Sequence, residues 1–73
     1  MKKFMLNEPF MTLGQFLKAN DYISSGGEAK FFLYSNDVFL NGEKITQRGK
    51  KLYHDDLVKV ENDVYKILYD QKD

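Results

Sequence analysis

Apolar positions along the chain follow one period in its first half and another in its second. Phe4, Met5 and Leu6 read as a short strand, with Phe4 and Leu6 on one face and Met5 on the other, and Pro9 closes it. Thr12-Leu13-Gly14-Gln15 has the spacing of a capping box, and Met11 and Phe16 flank it as a hydrophobic staple does. Leu13, Phe16 and Leu17 then form the apolar stripe of a helix of about two turns that ends near Asn20. Ser25-Gly26-Gly27-Glu28 repeats the capping spacing and opens a second helix, with Ala29, Phe32 and Leu33 inward and Asn36 as its stop. From Val38 the period becomes two. Val38-Phe39-Leu40 is a strand, Asn41-Gly42 is a hairpin turn, and Ile45 begins the return. Gln47 to Lys51 reads as a polar loop and His54-Asp55-Asp56 as a turn. Leu57–Val60 and Val64–Leu68 are strands joined by Glu61-Asn62-Asp63, and the tail from Asp70 to Asp73 is expected to fray. The expected class is α+β, two short helices followed by a small antiparallel sheet.

Composition changes this picture little. Seventy-three residues make one domain, residues 1–73, and a chain of that size buries only roughly 60% of the surface its unfolded form exposes. Six Phe and five Tyr compensate by giving large buried area per residue. The absence of cysteine excludes disulfide and thiolate chemistry. No apolar run approaches the ~20 residues that span a bilayer, and the signal-like start is interrupted by Asn7, Glu8 and Pro9, so a cytoplasmic, membrane-free protein is expected.

Charge matters more. The net charge is zero, but residues 1–54 hold eight Lys/Arg against five Asp/Glu, whereas residues 55–73 hold three Lys against six Asp/Glu. The segment Lys44 to Lys51 carries Lys44, Arg48, Lys50 and Lys51 and no acid. A neutral protein can present a basic face, and the local patch governs contact with nucleic acid.

Five elements in order carry a family likeness: Leu13…Phe16-Leu17-Lys18; Ser25-Gly26-Gly27-Glu28-Ala29-Lys30; Val38-Phe39-Leu40-Asn41-Gly42-Glu43; Arg48-Gly49-Lys50-Lys51-Leu52; and Asp56-Leu57-Val58. Together they resemble the S4 domain, with a motif core at residues 12–60. The Gly-Gly-Glu-Ala-Lys and Arg-Gly-Lys-Lys pieces are similar to the small stand-alone bacterial type, the YaaA type. The resemblance implies an αL-type RNA-binding fold, in which two helices and the following hairpin make one positive surface. It also implies RNA contacts at Lys18, at Lys30 and at the helix start Ser25, Gly26 and Gly27. Gly26 departs from the family pattern, where many members carry Arg.

From the residues themselves, Ser25-Gly26-Gly27 can act as a backbone anion site or be an ordinary glycine-rich turn. The cluster Lys44, Arg48, Lys50 and Lys51 is either a solvated loop or a phosphate-contacting one, with Arg48 the residue suited to bidentate contact. Tyr53 beside it is a candidate for base stacking, and Phe39 either packs under the helices, the plainer reading, or stacks on a base. His54, Asp55 and Asp56 are too few to hold a metal, and one histidine serves no nucleophile–base–orienter set, so neither catalysis nor a cofactor is expected. The expected function is a monomeric, non-enzymatic module that binds structured RNA, ribosomal RNA in a subunit above all, as an assembly or maturation factor. The assembly or maturation role is what the resemblance implies. Rival readings are a protein–protein adaptor using the acidic C-terminal third and a binder of tRNA or small RNA off the ribosome.

Overall fold

The computed structural model describes residues 1–70; the remainder of the expected frayed tail lies outside the described residues. Chain order is β1 (Lys2–Leu6), β2 (Phe10–Thr12), α1 (Leu13–Ala19), a 3-10 turn (Gly26–Glu28), α2 (Ala29–Ser35), β3 (Val38–Leu40), β4 (Glu43–Lys44), β5 (Lys51–Tyr53), β6 (Leu57–Val60) and β7 (Asp63–Tyr69). Two short helices are present as expected, but the sheet is mixed, which corrects the antiparallel expectation. It has five strands in the order β1-β7-β6-β3-β4, and β1 pairs in parallel with β7 from Lys2↔Tyr65 to Leu6↔Tyr69. A separate two-stranded ribbon joins β2 to β5.

The helix ends follow from local chemistry. Thr12 Oγ1 accepts from Gln15 N (3.3 Å) and Gln15 Oε1 accepts from Thr12 N (3.0 Å), which completes the capping box. Both helices close on an asparagine whose Nδ2 donates back four residues, Asn20 to Phe16 O and Asn36 to Phe32 O. The second capping box does not form. Glu28 N, which the Ser25 hydroxyl would satisfy, bonds Ser25 O instead (3.1 Å) and tightens the start into a 3-10 turn, while Glu28 Oε1 accepts from Ser24 N (3.3 Å).

Asn41 (φ 52°) and Gly42 (φ 86°) make the two-residue β3–β4 hairpin, both in the left-handed region that this turn requires. The return strand is Glu43–Lys44 rather than a strand from Ile45, and Lys51 belongs to β5 rather than to the loop. Asn41 also fastens the neighbouring turn: Oδ1 accepts from Leu57 N (2.9 Å) and Nδ2 donates to Asp56 Oδ1 (3.1 Å).

The core lies between the helices and one sheet face. Phe16 is fully buried and meets Phe4 and Tyr65 edge-on at centroid distances of 5.1 and 5.0 Å. Tyr65 and Ile67 are both buried, as the period of two requires for residues on one face, and Phe32 packs at the core margin against Tyr22. Phe39 does not join this core. It is half-buried on the other side of the sheet, where it lines a depression with Leu57, Lys59 and Val64. Among the described residues no helix is long and apolar enough to cross a membrane.

Candidate RNA interface

The basic segment is not a free loop. Its carbonyls occupy the start of α1: Leu13 N donates to Lys50 O (2.7 Å) and Gly14 N to Arg48 O (2.8 Å). These are two of the orphan amides that every helix start leaves open. Gly14 makes the approach possible. A Cβ there would stand 3.4 Å from Arg48 O, 3.5 Å from Arg48 Cβ and 3.8 Å from Ala29 Cβ. The loop, the start of α1 and the start of α2 therefore converge on one glycine. Nothing in the local pattern singled Gly14 out, because its requirement comes from a chain segment more than thirty residues away.

Arg48 reaches across this junction. Its Nη1 donates to Gly26 O at 3.2 Å, tying the basic loop to the Gly-Gly turn. Arg48 thus stands beside Ser25, Gly26 and Gly27, as the sequence grouping requires if they serve one surface. All four residues are exposed. Neither Gly26 nor Gly27 has a positive φ; a Cβ on Gly26 would meet nothing within 4 Å and one on Gly27 only Ser25 Oγ at 4.0 Å. No internal packing or backbone conformation calls for glycine at either place. The effect of the pair is to leave the main chain uncovered next to a guanidinium.

The other cations divide. Lys44 Nζ is 3.1 Å from Asp37 Oδ1, so its charge is partly balanced. Arg48, Lys50 and Lys51 have no carboxylate partner among the described residues. Lys51 instead sits over the Phe10 ring, 4.7 Å from its centroid. Lys18 in the last turn of α1 and Lys30 in the first turn of α2 are exposed and likewise lack a carboxylate partner among the described residues.

The ribbon adds an aromatic pair. Phe10 faces Tyr53 across the two strands and Thr12 faces Lys51, while Met11 and the buried Leu52 point inward. The Phe10 and Tyr53 rings lie 5.9 Å apart, and the two residues are 40% and 48% exposed. Phe10 was not among the expected site residues. Its signal is present only once β2 is known to pair with β5, which brings it to the basic segment.

His54, Asp55 and Asp56 are engaged structurally. His54 Nδ1 accepts from Tyr69 N (2.9 Å), Asp56 Oδ2 accepts from Tyr53 N (2.7 Å), and Asp55 lies 3.6 Å from Lys66 Nζ. The acidic C-terminal third is partly neutralised in the same way, with Asp63 Oδ1 3.6 Å from Lys2 Nζ. Tyr22 closes the far end of the helix pair. Its hydroxyl donates to Asp63 Oδ2 (3.1 Å) and lies 2.7 Å from the Tyr65 hydroxyl, which must then donate to it. Burial raises the Tyr22 phenol above its ordinary pKa, and the hydrogen bond it donates to the Asp63 carboxylate, with that group's negative charge, raises it further.

Comparison with known proteins agrees with the ordered motifs. Over 56 residues the chain is 48% identical to a protein of Bacillus subtilis (strain 168) named "Probable ribosome maturation protein RlbA", a stretch covering 77% of this chain and 79% of that protein. The family model described as "S4 domain" matches residues 4–68, which takes in both helices, the hairpin, the basic loop and nearly all of the mixed sheet. With that much of its length matched, the chain belongs to the S4 domain family.

Proposed function

We propose that this chain is a single, non-catalytic RNA-binding domain that docks as a monomer on ribosomal RNA in the cytoplasm and takes part in maturation of a ribosomal particle. The two helices and the β3–β4 hairpin act as the αL-type surface. The observation that carries the reading is the bond from Arg48 to Gly26 O, which holds a guanidinium with no carboxylate partner among the described residues beside an uncovered Gly-Gly backbone, with Lys50 and Lys51 close behind it in the chain. Arg48 suits bidentate phosphate contact, Lys50 and Lys51 act as point charges, and Lys18 and Lys30 extend the positive field along the helices. Ser25, Gly26 and Gly27 admit the sugar–phosphate backbone, Tyr53 offers a ring to a base, and Lys44, tied to Asp37, contributes least. The name of the Bacillus relative supports the ribosomal partner.

The test is co-sedimentation with ribosomal subunits. The double substitution Arg48→Glu with Lys51→Glu is expected to abolish it while the circular dichroism spectrum is retained. Unchanged co-sedimentation would overturn the reading. Salt-insensitive binding that persists after nuclease treatment would move it to a protein adaptor.

A further inference from the structure

Helix α2 turns two large rings to solvent. Phe31 and Tyr34 are three residues apart and so neighbours on the helix surface, yet they are 71% and 92% exposed. Aromatic side chains contribute to a fold by burial, and these two contribute almost none. With Leu33, Lys30 and Thr46 they line one groove. Thr46 belongs to the acid-free segment Lys44 to Lys51, so the groove adjoins the basic loop. The helix itself, Ala29–Ser35, carries Lys30 and no acid. Of the nearest carboxylates along the chain, Asp37 is paired with Lys44 and Glu28 accepts from Ser24 N.

We propose, building on the RNA reading above, that Phe31 and Tyr34 form a stacking platform for unpaired nucleobases of the bound RNA, with Lys30 holding an adjoining phosphate. Charge selects this occupant. Exposed rings beside Lys30 and next to the acid-free segment match a base and its phosphate, because every base offers a π-face and every linkage a negative charge. The platform also supplies what the basic loop lacks. Phosphate contacts weaken steeply with salt, whereas stacking does not depend on counterion release.

The experiment measures binding to purified ribosomal subunits and to protein-free ribosomal RNA across a salt series. Phe31→Ala and Tyr34→Ala are each expected to weaken binding about 5- to 100-fold at every salt concentration, with the log–log salt slope unchanged. Phe31→Trp is expected to retain binding and Phe31→Leu to fail. Ultraviolet crosslinking of the wild-type chain on subunits is expected to join a nucleotide to one of the two rings. Both side chains are exposed, so the variants should keep the wild-type circular dichroism spectrum. Wild-type affinity in both alanine variants would overturn the platform and leave the RNA reading standing. Rescue by leucine, or loss of subunit binding with no nucleotide crosslinked to either ring, would overturn it in favour of a protein contact. A wild-type chain that binds neither subunits nor RNA would overturn the RNA reading and the platform with it.

Discussion

Asn41 does two jobs with one side chain. It tolerates the left-handed backbone that the β3–β4 turn needs, and it clamps Asp56 and Leu57 across the β5–β6 turn. The most recognisable residues of the S4 pattern, Asn41 and Gly42, are thus structural. Tyr22 carries a different consequence. Its folded-state pKa lies above the ordinary value of about 10. Below that pH the phenol is protonated in both states and its hydrogen bonds are fully present. Above it the unfolded chain releases a proton that the folded chain keeps, so stability falls as pH rises. The expected outcome is a urea midpoint that declines from about pH 10 upward. Tyr22→Phe should lower stability at pH 7 by about 1 kcal/mol for the lost hydrogen bonds, read from the urea midpoint, and make the alkaline decline shallower.

Among the elements, the 3-10 turn before α2 is where stability and binding are expected to oppose each other. Gly26 and Gly27 stand at ordinary negative φ with open space where a Cβ would go. Alanine at either place restricts the unfolded chain without straining the folded one, so Gly26→Ala and Gly27→Ala should each raise stability by about 0.5–1 kcal/mol, read from the urea midpoint. The same methyl groups cover the backbone beside Arg48, and co-sedimentation with ribosomal subunits should weaken. Stabilised variants that bind normally would show that RNA does not approach the main chain there. The β2–β5 ribbon has the complementary role. Its inward Leu52 fixes it to the core, and its outward residues carry Lys51 and Tyr53 next to the loop.

At the scale of the whole molecule, zero net charge conceals an uneven layout. Carboxylates of the C-terminal third are partly matched by Lys2 and Lys66, whereas Arg48, Lys50 and Lys51 are left without such partners among the described residues. Neutralising about four phosphates gives a log–log salt slope of roughly −3 and a loss of about 50- to 100-fold between 50 and 200 mM salt. A titration of RNA binding against salt should show that slope, and Lys50→Ala should reduce it by about one. A patch this small holds RNA weakly by charge alone, which is why a large ribonucleoprotein surface is the partner proposed.

Local sequence was enough wherever the cause is local. The Thr12–Gln15 box, the helix-closing asparagines, the Asn41-Gly42 turn and the alternation in β6 and β7 each depend on residues a few positions apart, and each stands where the residues place it. The ordered motifs also sufficed for the family. The sequence could not supply pairings over long separations. β2 and β5 have three residues each, too few to display a period, and they become strands only by meeting each other. β1 becomes a parallel partner of β7 only because the chain returns after sixty residues. The Ser25 box failed because a backbone carbonyl took the amide that the hydroxyl needed. The junction of Gly14, Arg48 and Gly26, the exposure of Phe31 and Tyr34 and the place of Phe10 were likewise set by tertiary packing, since each depends on which distant segment covers a residue and which leaves it open.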